Sequence, residues 1–152
     1  MSLVISPPVA EAILKAARGR DVEEFLLSLV VEKLDPPERI QTYLALHEKY
    51  LREAEELYAK GDLLQAGEKY WGAVTALLNA IAEKRGLPHH SHRDYAALIE
   101  KLYDETEDEE LLKGFALAER LHANHNFLEK KSFEVHRREA LKLVEKLKKV
   151  LT

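Results

Sequence analysis

The chain has 152 residues, 46% of them hydrophobic and 33% charged, with a formal net charge of −4. That composition suits a single buried core and excludes a disordered protein, while the negative balance gives no global attraction to nucleic acid. Without cysteine there is no disulfide framework and no thiolate chemistry, and no apolar run approaches the roughly 20 residues of a membrane-spanning helix.

From the N-terminus, residues 2–6 (SLVIS) form the one β-like stretch, ended by Pro7 and Pro8. A helix follows with Val9, Ala12, Ile13, Ala16 and Ala17 on one stripe and Gly19 as its stop. Asp21 and Glu24 make a capping box for a second helix over 21–34, which Pro36 and Pro37 end. That helix is apolar around most of its circumference, so burial or a dimer interface is expected for it. Residues 1–36 thus read as a strand-helix-helix appendage for dimerisation or packing, with a likeness to the ribbon-helix-helix module over 2–34. Its strand offers none of the basic side chains with which such modules read DNA.

Residues 37–152 read as a helical bundle. A long helix carries Ile40, Tyr43, Leu44, His47, Leu51, Ala54 and Tyr58 on one face and stops at Gly61. Asp62 with Gln65 caps the next helix, which runs to Gly86, and Ser91 with Asp94 caps a shorter one to about Tyr103. A sixth helix spans roughly Glu109 to Asn124, with acidic residues at its positive dipole end. The last runs from about Ser132 to Leu151. Short loops between long amphipathic helices predict antiparallel neighbours, hence an all-α, up-and-down four- or five-helix bundle. Charge is uneven: residues 127–152 hold eight Lys or Arg against four Glu, read mainly as a solvated face and secondarily as a phosphate-binding one.

Several polar groups invite chemistry. His89, His90 and His92 stand in one loop, where adjacent histidines close a metal site poorly, so a flexible loop with His92 helping to cap its helix is the favoured reading. Glu119 and His122 make a lone Glu-x-x-His pair, whereas di-iron bundles need two. His47 and Trp71 are expected in the core. No metal or other cofactor is expected.

The stretches AEELYAKGDLLQAGEKYWGAVTALLNAIAEKRG, SHRDYAALIEKL and AERLHANHNFLE resemble an archaeal HEPN-type domain of the PaREP group, over residues 40–150. The carrying features are the Gly61-Asp62 hairpin, the seam Ala66, Trp71, Ala73 and Ala80, the Ser91-His92 pair and the LHAN stretch. The resemblance implies a bundle that pairs as a homodimer, with a nucleotidyltransferase partner, if any, on another chain. Many HEPN proteins are metal-independent ribonucleases with an Arg followed a few residues later by His, which Arg120 and His125 match, with His122 and Asn124 as helpers. On a straight helix, positions 120 and 125 lie about 140° apart, so they converge only through a helix break or across a dimer. His122 and His125 also share the face of Leu111, Phe115 and Ala118, which favours partial burial with hydrogen bonds for both and solvent for Arg120. The two functions expected are therefore an RNA- or nucleotide-directed protein, with metal-independent cleavage as its chemistry, and a non-catalytic homodimeric interaction module. The scarcity of Asn and Gln beside abundant charge leans towards a thermophile, and the opening MSLVISPPVAEA, which lacks a basic n-region, points to the cytoplasm.

Overall fold

The computed structural model describes residues 1–122 and 129–152. They form two compact units, Met1–Asp35 and Pro36–Thr152.

In the first unit, α1 (Pro7–Ala17) starts with its two prolines in the first turn, where a missing N–H costs nothing. It ends on a left-handed Arg18. Asp21 Oδ1 accepts the Glu24 amide at 3.0 Å and starts α2 (Val22–Val30), which passes into a 3₁₀ turn, Val31–Lys33. One expectation fails here, and of the two alternatives for α2, burial or a dimer interface, burial is not met. Residues 2–6 form no strand, since a strand needs a ladder partner and the described residues supply none. No residue of α2 is buried: one neighbouring helix in so small a unit cannot cover an apolar cylinder on all sides.

The second unit is a five-helix bundle: α3 (Pro36–Ala59), α4 (Leu63–Arg85), α5 (His92–Thr106), α6 (Glu109–His122) and α7 (Lys130–Leu151). α5 and α7 are respectively three residues longer at the C-terminus and two longer at the N-terminus than their patterns predict. α4 is the axis, packed by the other four helices, and every residue from 73 to 82 is buried. The expected caps form: Gln65 N–H donates to Asp62 Oδ1 at 3.2 Å and Asp94 N–H to Ser91 Oγ at 3.0 Å. Close approach at the α4–α6 crossing requires Gly67, where a Cβ would fall 2.5 Å from the Leu121 carbonyl oxygen.

The all-α prediction holds, but the strict up-and-down order does not. Arg39 pairs with Glu83 and Lys69 with Glu53, so α3 and α4 are antiparallel. Yet Trp71 meets His92 and Tyr95, while Arg85 pairs with Glu105. α5 therefore runs parallel to α4. The connection doubles back along the bundle before α5 begins. It leaves α4 through left-handed Gly86, with the Leu87 amide bonded to the Ala82 carbonyl, and is then laid against α3 by two histidines. His89 Nε2 and His90 Nε2 lie 3.2 and 2.8 Å from the Tyr43 hydroxyl. His89 Nε2 is also 3.3 Å from Glu83, and His90 adopts a positive φ of 84°, a strained conformation held by its surroundings. The histidines expected in a flexible loop are thus bonded to Tyr43 of α3.

α7 is joined to the axis through Arg137. Its guanidinium donates to the Tyr70 hydroxyl at 2.7 Å and to Glu55 at 2.6 Å, and it lies 4.3 Å from the Tyr58 ring. Burial opposes its charge, but the bonds to Glu55 and Tyr70 prevail and hold it more firmly ionised than usual. Tyr58 in turn donates to Glu134.

Candidate functional site

Trp71 lies midway along α4 and is buried, as expected of a core residue. Around its indole the fold gathers side chains from two further helices. His122, the last residue of α6, stacks on it with ring centroids 5.5 Å apart and planes inclined by 17°. His92, the first residue of α5, lies 5.9 Å away, and Phe115 of α6 packs against both rings at 5.6 and 6.2 Å. The indole and phenyl rings form an apolar floor, and the two imidazoles form its half-exposed edge, at 52% and 48% for His92 and His122.

Each imidazole is oriented by a carboxylate. His122 Nδ1 donates to Glu68 Oε2 at 2.9 Å, and His92 Nε2 donates to Glu119 Oε1 at 3.0 Å. In the neutral rings these bonds select the tautomers, making Nε2 the basic nitrogen of His122 and Nδ1 that of His92. The Glu-x-x-His pair of α6 is thereby split, Glu119 serving His92 while His122 takes a partner from α4. One turn of helix places 119 and 122 on the same side, but only the packing of α5 and α4 decides which partner each receives.

Of the residues singled out from sequence, His122 occupies this cluster and Arg120 is exposed on α6. Two positions along a helix turn about 200°, so Arg120 points away from the face that carries His122. Asn124 and His125 lie outside the described residues. His122 shares the face of Phe115 and Ala118 and sits at its end, half-exposed and hydrogen-bonded to Glu68. His92, read only as a helix-cap residue, proves to be the second imidazole. Its partnership with Trp71 depends on the reversed course of the α4–α5 connection, and no local signal announces that course. Among the described residues no group of three His, Cys, Asp or Glu is placed to hold a metal ion, and no helix is long and apolar enough to cross a membrane.

Fold and site together define a helical-bundle protein that presents two carboxylate-oriented histidines beside a buried tryptophan. Residues 42–148 match the archaeal PaREP1/PaREP8 family, and the chain belongs to that family. Comparison with curated proteins gives no match, and neither does comparison with solved structures.

Proposed function

We propose that this is a HEPN-type protein that cleaves RNA without a metal, with His122 and His92 as its acid–base pair. The observation that carries the reading is that two half-exposed imidazoles, each steered by its own glutamate, share one aromatic floor. Imidazole exchanges protons near neutral pH, and a carboxylate partner aims it. One imidazole takes the proton of the ribose 2′-hydroxyl as that oxygen attacks the adjacent phosphorus. The 2′-O–P bond forms, the P–O5′ bond breaks, and the second imidazole protonates the departing 5′-oxygen. The products are a 2′,3′-cyclic phosphate and a 5′-hydroxyl. Arg120 and His125 are the pair that the HEPN resemblance implies; Arg120, on the other side of α6 from His122, has no part in this step.

The test is cleavage of a fluorogenic RNA of mixed sequence with chelator present, reading the cyclic phosphate end. Positioned acid–base groups contribute about 10²–10⁴-fold, so His122→Ala and His92→Ala should each lower the rate by at least about a hundredfold while the fold is kept. Equal rates in both variants and wild type would sink the reading. His125→Ala and Arg120→Ala then report on the second pair.

A different observation favours a second reading. The N-terminal unit exposes Val9, Leu14, Leu29 and Val30, each at about half its surface, more than a lone soluble unit usually shows. A non-catalytic homodimeric interaction module would use them. Sedimentation of the wild type against Leu14→Glu/Leu29→Glu tests it, a dimer that dissociates in the variant being the supporting result.

A further inference from the structure

α7 has a second face that the bundle does not use. Its inward side buries Phe133, Ala140, Leu143, Val144 and Leu147. On the opposite side stand Lys131, Arg138, Lys142 and Lys149, all exposed. At 100° per residue these four fall within a band about 40° wide and about 27 Å long. Lys142 is paired with Glu139 at 2.9 Å. Among the described residues, Lys131, Arg138 and Lys149 form no close ion pair, although the charge of Arg138 is felt by Glu134 one turn away. The bundle's other cations are largely engaged: Arg39, Lys69, Arg85, Arg137 and Lys146 each hold a carboxylate. Those outside the stripe that form no close ion pair, Arg52, Lys60, Lys84, Arg93, Lys101 and Lys130, are scattered, no more than two to a helix.

We infer that this outer face of α7 is the docking surface for the phosphate backbone of the RNA. The inference rests on the RNA-directed reading above and extends it from chemistry to binding. Charge complementarity carries it. The helix from 130 to 151 holds eight Lys or Arg against three Glu in a chain of net charge −4, so a polyanion meets attraction here and repulsion over the molecule as a whole. The band's length spans on the order of eight phosphates of one strand. The α7 end of the site is also the right one: Gly67 of α4 packs against both Leu121, the neighbour of His122, and Phe133 in the first turns of α7. The stripe thus begins at the end of the bundle where α6 finishes. Glu145, 71% exposed and 3.7 Å from Lys148, flanks the band and weakens it.

The experiment is fluorescence anisotropy with a 20-nucleotide single-stranded RNA and a DNA of the same sequence, over a salt series, on the full chain. About four phosphates neutralised give a log–log salt slope of about −3, and Lys131→Gln/Arg138→Gln/Lys149→Gln should flatten it to about −1 with at least about a tenfold loss of affinity. Binding of the DNA with a like slope supports a backbone contact, and Glu145→Gln should tighten both. The control Arg52→Gln/Arg93→Gln/Lys101→Gln changes net charge equally and should stay within about threefold of wild type. An equal loss in that control, an unchanged stripe variant, or displacement of RNA by polyglutamate at matched charge would each overturn the inference. Binding through the stripe with no cleavage by any protein would leave the docking surface standing and sink the ribonuclease reading. Cleavage lost in His122→Ala with binding indifferent to the stripe would do the reverse.

Discussion

Among the described residues His47 is the one histidine buried in the bundle core, with Nδ1 donating to the Ala73 carbonyl at 2.8 Å and Nε2 buried without a hydrogen-bond partner. Burial holds its pKa below the usual histidine value, against the opposing pull of the Ala73 bond. The folded protein therefore keeps this ring neutral while the unfolded chain takes up a proton. Since the unfolded state binds more protons in that window, stability falls as pH drops below about 6.5 and is unaffected by this group above it. Urea midpoints measured from pH 7.5 downwards should decline in wild type. They should decline less steeply in His47→Gln, whose amide can still donate to Ala73. At Gly67 the constraint is steric. The Leu121 carbonyl is backbone and cannot rotate away from a Cβ at 2.5 Å, so Gly67→Ala must shift the end of α6, where His122 is carried. Overpacking of this kind costs about 1–3 kcal/mol. A lowered melting temperature together with a perturbed His122 ring resonance is the expected outcome, and a variant unchanged in both would contradict the close approach.

At the scale of elements, the course of α5 is decided by what precedes it. Ser91 starts the helix and gives one free amide its partner. Ser91→Ala should cost about 1 kcal/mol, seen as a loss of about 2–4 °C in melting temperature for a chain of this size. Tyr43 does more, because its hydroxyl meets both His89 and His90 and keeps the connection on α3. Burial pushes its phenol well above the ordinary tyrosine range, so it stays a neutral hydrogen-bonding group at all working pH values. Tyr43→Phe leaves those ring nitrogens without the hydroxyl, and at the largely covered His89 the lost partner costs about 1–3 kcal/mol. Amide exchange should accelerate through residues 87–91 and into the first turn of α5 while α3 and α4 stay protected. Uniform acceleration across the bundle would show instead that the contact serves global stability alone.

For the whole molecule, the two units differ in kind. Residues 36–152 hold a core around α4, with the aromatic cluster and the Arg137 node tying α3, α5, α6 and α7 to it. Residues 1–35 bury Ala17 and Val31 and little else. A piece below about 40 residues seldom folds alone without disulfides, metals or association. A chain beginning at Pro36 should therefore melt cooperatively by circular dichroism, and a peptide of residues 1–35 should show little helix in isolation. A truncated chain that no longer unfolds cooperatively would mean that the bundle depends on its N-terminal unit.

The sequence by itself determined what depends on neighbours along the chain. Helical periodicity, the caps at Asp21, Asp62 and Ser91, the stops at Gly61 and Gly86, and the core places of His47 and Trp71 all follow from local spacing, because capping and amphipathicity act within a turn or two. Only the tertiary structure decided the parallel course of α5, since a short loop fixes its own ends but not the helix against which it folds back. It alone supplied the partners of His92 and His122. Glu68 lies 54 residues from His122, and no periodicity connects positions that only the packing of α6 and α5 onto α4 brings into contact.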